Sequence, residues 1–219
     1  MIMIKRITNC FLLSLFILLT AIAAGAQQPE KGTPEKSTFE ALLEKLKKGD
    51  TRVDYRELRM AYAGSPQYSP YGDDSDARDA MFSALNNGAY DKSIEFVEKL
   101  LRKEFVDIDA HMVASIAYAK MKNAEKARYH REIVKGLIRS ILDSGDGITP
   151  EAAFQVISLR EEGAVLGALG LRQRSQALIK ENGHSYDKLS LIDPGTNKET
   201  VVYFNVDRPM NWLNKALSK

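Results

Sequence analysis

One cysteine, three histidines and one tryptophan occur in 219 residues, and each scarcity closes a class of chemistry. The cysteine, Cys10, lies ahead of an N-terminal apolar run that reads as a leader, so the mature chain is expected to hold no thiol nucleophile, no disulfide and no lipid-bearing N-terminus. A chain without disulfides depends on a hydrophobic core. His111, His130 and His184 stand far apart and show none of the close spacing of a zinc site, which leaves them as surface or capping residues and predicts no metal and no cofactor. Charge of one sign is also lacking: 31 basic side chains face 29 acidic ones, and loss of Lys5 and Arg6 with the leader leaves 29 against 29. Without a basic excess or a dense Lys/Arg block, nucleic acid is excluded as a partner. No Gly-x-Ser-x-Gly elbow, phosphate loop or dinucleotide fingerprint is present, although a hydrolytic triad built from distant residues stays open.

What is present begins with export. A basic start (residues 1–6), an apolar stretch (11–22) and the small-x-small site Ala24-Gly25-Ala26 form a secretory signal over residues 1–26. The apolar stretch falls short of the ~20 residues that a membrane span needs, so cleavage before Gln27 and no membrane insertion of the mature chain are expected. The mature protein is then secreted, periplasmic or extracellular. Residues 27–36 form a polar linker, and residues 37–219 a single α+β domain.

Helical periodicity opens that domain. Ser37 and Glu40 form a capping box ahead of Phe39, Leu42, Leu43 and Leu46, and a second helix is predicted over 53–63. After a Pro- and Tyr-rich loop, helices are predicted over 76–87, 89–103, 109–121 and 124–142. Val113, Ile116 and Ala117 are expected to face inward on the third of these. Asn87-Gly88-Ala89-Tyr90 and Lys122-Asn123-Ala124-Glu125 recur about 34 residues apart, and Ser93 and Ala127 take the small-residue position, which predicts a tetratricopeptide-like antiparallel array ending at 170. Thr149-Pro150-Glu151 signals another helix start, running to Gly170. The period then becomes alternating over 173–180, 185–192 and 199–206, with a hairpin at Asn182-Gly183, which predicts a three-stranded antiparallel meander over 171–219 and a short final helix anchored by Trp212.

Several short segments resemble one family. Ser144-Gly145-Asp146-Gly147, Glu161-Glu162, Tyr186-Asp187 and the run Val202-Tyr203-Phe204-Asn205-Val206-Asp207, with the aromatic proline loop, are similar to the domain-of-unknown-function family 4919, exported proteins of Bacteroidetes. The resemblance implies a mixed fold and export, and supplies no activity.

Two candidate sites follow. Glu161 falls on the apolar stripe of Phe154, Ile157 and Val165, so it is either a structural anchor with a fixed partner or a general acid with a raised pKa. Tyr62, Tyr68 and Tyr71, with Tyr55, surround the proline loop and either plug the first helix pair or receive a peptide or glycan. The loop 143–147 reads as a helix C-cap and turn, with an anion cradle at the next helix as the alternative. The resulting expectation is an exported, non-enzymatic scaffold that binds a peptide or protein partner; the alternative is an envelope hydrolase using Glu161.

Overall fold

The computed structural model describes residues 37–72 and 74–218, so the expected leader and linker lie outside it. The chain is α+β, with eight helices and a four-stranded mixed sheet among the described residues. Helix α1 (Thr38–Lys47) starts on the Ser37/Glu40 capping box, and α2 (Tyr55–Ala63) on the Asp54 carboxylate, which accepts from the Glu57 amide. Next come α3 (Ser75–Asn86), α4 (Tyr90–Lys103), α5 (Ile108–Lys120) and α6 (Ala124–Leu142), with α4, α5 and α6 each packed on its predecessor. Asp107 and Asn123 cap α5 and α6. Helix α6 also returns to α2. A Cβ on Gly136 would lie 2.2 Å from the Tyr55 ring, so this mid-helix glycine lets the two helices meet.

The helix expected from residue 149 to 170 is only half present. Residues 149–153 form turns, β1 (Phe154–Gln155) is a strand, and α7 spans Arg160–Leu169. Tertiary pairing overrides the local helix signal here. The amides of Asp146 and Gly147 both donate to the Ala152 carbonyl, at 3.0 and 2.8 Å, and that carbonyl is 2.2 Å from where a Cβ on Gly145 would sit. The fold-back carries Phe154 into the sheet, 5.7 Å from the Phe204 ring.

The expected three-stranded antiparallel meander is therefore a four-stranded mixed sheet. The strand order is β1-β4-β3-β2, with β1 parallel to β4 (Glu199–Asn205), and β3 (His184–Ile192) antiparallel to both β4 and β2 (Arg172–Glu181). Asn182 and Gly183 turn the β2–β3 hairpin with φ of 50° and 82°. Edge strand β2 is exposed along nearly its whole length, and Arg172, Arg174 and Lys180 together with a bulge between Gln173 and Ser175 blunt it against pairing with another chain. Helix α8 (Asp207–Leu217) closes the chain, with Met210 and Trp212 packed on the core.

Two buried clusters result. The first joins Phe39, Leu46 and Leu58 of α1 and α2 to Ile133 and Leu137 of α6, Val165 of α7, and Leu189 and Phe204 of the sheet. The second lies among α3 to α6 around Met81, Val97, Val113 and Ala117. Ile116, expected to face inward, is 40% exposed; the inward positions of α5 are Val113, Ala114 and Ala117.

Candidate functional site

Arg59 and Glu161 are both buried. Arg59 sits between Leu58 and Tyr62 on α2. Its Nε and Nη2 donate to the two Glu161 oxygens at 2.8 and 2.6 Å, Nη2 also donates to the Gln155 carbonyl at 2.8 Å, and Nη1 donates to Ser140 Oγ at 3.3 Å. Glu161 Oε2 also accepts from the Ile157 amide at 2.8 Å. The bidentate pair ties α2, α6, β1 and α7 together and compensates both charges for their lost hydration. Both oxygens of Glu161 are engaged, in the geometry of an anchor. Arg59 was invisible to sequence reading, because an arginine on a helix is ordinarily at the surface.

The next residue has the opposite circumstances. Glu162 is equally buried, but Oε1 has no hydrogen-bond partner among the described residues. Burial first, and then the charge of neighbouring Asp187 with the hydrogen bond between the two carboxyls, raises its pKa to about 9, so it is protonated at neutral pH. Asp187 on β3 accepts from Gln176 Nε2 at 2.7 Å. The fold thus joins the Glu161-Glu162 and Tyr186-Asp187 segments that were distant in sequence.

A charged seam runs from the Arg59–Glu161 ion pair along the end of α4 and the start of α5. Arg160 pairs with Glu104 at 2.5 Å, Arg78 pairs with Asp107 and with Asp109 (3.4 Å), and Lys103 pairs with Asp74 at 2.5 Å. Glu104, Asp107, Asp109, Arg160 and Glu161 line a crevice of about 10 Å³, room for about one water. Burial raises the Glu104 carboxyl to about 7 and outweighs the opposing pull of Arg160.

Glu104 also borders open space. A cleft of about 380 Å³ is lined by Tyr62, Ser69, Asp74, Lys103 and Glu104, and beside it lies an apolar one of about 260 Å³ lined by Phe39, Leu43, Leu101 and Phe105. Both share Gln67, Arg102 and Lys103, so they form one groove between α1, the 64–72 loop and the end of α4. No sequence motif marked Glu104; the site arises where a helix end meets a loop.

The tyrosines divide. Tyr62 is 1% exposed, set against Phe39 (5.5 Å) and edge-on to Tyr68 (5.7 Å), with only its margin reaching the cleft. Tyr68 is buried and donates to the Ile157 carbonyl at 2.5 Å. Tyr55 donates to the Thr51 carbonyl at 3.0 Å. These three fill the first helix pair. Tyr71, 36% exposed and 5.9 Å from Trp212, is the tyrosine still open to a ligand.

The surface reading of the histidines fails for His111, which is fully buried. Its Nε2 is 2.8 Å from the Phe105 carbonyl and its Nδ1 is 2.8 Å from His130 Nδ1. A carbonyl only accepts, so His111 carries its proton on Nε2 and His130 donates through Nδ1. Burial lowers His111 to about 4 and, with the charge of His111 opposing a second proton, His130 to about 3. His184 is at the surface, 2.6 Å from Asp207. No group of three or more metal-ligating side chains occurs among the described residues. The loop after α6 caps that helix, and because turns and a strand follow it, no helix N-terminus is there to cradle an anion.

The chain belongs to the family of the domain of unknown function DUF4919, whose model matches residues 31–215. No curated protein and no solved structure matches it.

Proposed function

We propose that the mature chain is an exported, non-enzymatic scaffold whose α1–α4 groove binds a peptide or protein segment presenting an apolar side chain beside an acidic one. The carrying observation is the continuity of the two clefts, apolar at the Phe39, Leu43, Leu101 and Phe105 end and polar at the Glu104 end. Arg102 and Lys47 on the rim are exposed and complement an acidic neighbour. The scaffold is read as tetratricopeptide-like: α3–α4 and α5–α6 are successive hairpins, and Ser93 and Ala127, one period apart, are both buried at the helix contacts. Strands β2, β3 and β4 are read as a meander that β1 extends. A peptide-display selection followed by calorimetry tests the groove. Binders should carry an apolar residue next to Asp or Glu and lose at least tenfold in affinity against Leu101→Glu; binders indifferent to that change would place the interface elsewhere.

The hydrolase alternative is favoured by one observation, an acid near neutrality in a cleft, and that acid is Glu104 instead of the fully engaged Glu161. Glu104→Gln would then abolish turnover and retain binding.

A further inference from the structure

A second concavity, of about 400 Å³, lies between the turn after α2 (residues 63–66) and helix α8. That volume lies within the ~300–1,000 Å³ of small-molecule sites. Arg208, Asn211, Trp212 and Lys215 lie on one face of α8 at spacings of three, four and seven residues and line the pocket together with Ser65 and Tyr68. Three observations bear on what it takes. Neither Arg208 nor Lys215 has an ion pair or hydrogen bond among the described residues, and the pocket lining holds no acid. Ser65 Oγ is buried and has no hydrogen-bond partner among the described residues. Trp212 presents an indole beside the half-exposed Tyr71 ring.

Part of this charge complements the C-terminal end of α2, where carbonyls point outward. No hydrogen bond joins either cation to those carbonyls, so both stay available to an oxyanion. Two cations without a counter-ion call for a carboxylate. An indole face packs on the C–H face of a pyranose, and an amide and an unsatisfied hydroxyl suit sugar hydroxyls. We propose that this pocket binds an acidic saccharide, a hexuronate unit, with Arg208 and Lys215 holding the carboxylate, Trp212 the ring, and Asn211 and Ser65 the hydroxyls.

Trp212 is the only tryptophan in the chain, so its emission reports this pocket directly. The mature protein is titrated with an oligogalacturonate, the matching neutral galacto-oligosaccharide and inorganic phosphate, with calorimetry in parallel. A saturable response to the uronate alone is expected, weakened about tenfold or more by Lys215→Gln and by 0.5 M salt. Lys215 is exposed, so its replacement leaves the fold intact. An equal response to phosphate would reduce the site to an adventitious anion site, and an equal response to the neutral sugar would remove the carboxylate from it; either overturns the proposal. So does a response unchanged in Lys215→Gln, or no saturable signal by either method.

Discussion

Five of the eleven buried residues in the α3–α6 cluster are alanines, whereas the cluster joining α1, α2, α6 and α7 to the sheet has none and carries five phenylalanine or tyrosine rings. The small residues bring neighbouring helices into close approach with little else to arrange. Their partners lie one or two helices away in sequence. The aromatic cluster instead unites elements from Phe39 on α1 to Phe204 on β4 and encloses a protonated carboxyl and an ion pair whose partners lie 102 positions apart. A core assembled from local pairs needs only small, regularly spaced side chains, while a core assembled from distant elements leaves polar groups inside that must find partners.

Removing the sheet should have the largest effect on that contrast. A chain truncated after Gly170 loses Leu189, Leu191, Val202 and Phe204 from the aromatic cluster, and its urea unfolding should lose its cooperative transition. A sharp transition at the wild-type midpoint would mean that the helices do not depend on the sheet.

Next in size is Glu161→Gln. It leaves Arg59 buried without a counter-ion and should destabilise by ~3–5 kcal/mol, whereas a double replacement of Arg59 and Glu161 by methionine should recover most of the loss. Chemical denaturation of the single and double variants measures this; a single-variant loss below ~1 kcal/mol would deny the pair its anchoring role.

Glu162→Gln, one residue on, should act with the opposite sign. The folded carboxyl titrates near 9 against an ordinary 4.5, so the folded state holds the proton more tightly. The stability this group contributes is full below about pH 4.5 and is lost as pH rises toward 9. Glutamine keeps a donor toward Asp187 and has no proton to lose, so the variant should match wild type near pH 4.5 and exceed it by roughly 4 kcal/mol at pH 8. Unfolding free energies at pH 4.5, 6 and 8 check the slope.

The smallest effects compare two glycines. Gly136→Ala drives a methyl into the Tyr55 ring, which its hydroxyl holds to Thr51, and should cost about 1–2 kcal/mol despite the better helix propensity. Gly163→Ala on α7 meets nothing within 4 Å and should gain ~0.5–1 kcal/mol. Thermal melts of the two, run side by side, should move in opposite directions.

The local signals in the sequence determined much of this protein. The capping box at Ser37, the apolar periods of α3 to α6, the Asn182-Gly183 hairpin and the strand alternation depend on near neighbours, and each element forms close to its expected bounds. The family too was legible, in segments such as Glu161-Glu162 and Tyr186-Asp187. Tertiary structure decided the rest. Residues 149–155 left the helical path because the sheet offered Phe154 a partner in Phe204. Arg59, with no motif around it, became the counter-ion of Glu161 from 102 positions away. Glu104 reached about 7 only because α4, α7 and the loop remove water from around it. A pKa, a groove and a buried partner are properties of what surrounds a residue, and those surroundings come from parts of the chain that no local pattern connects.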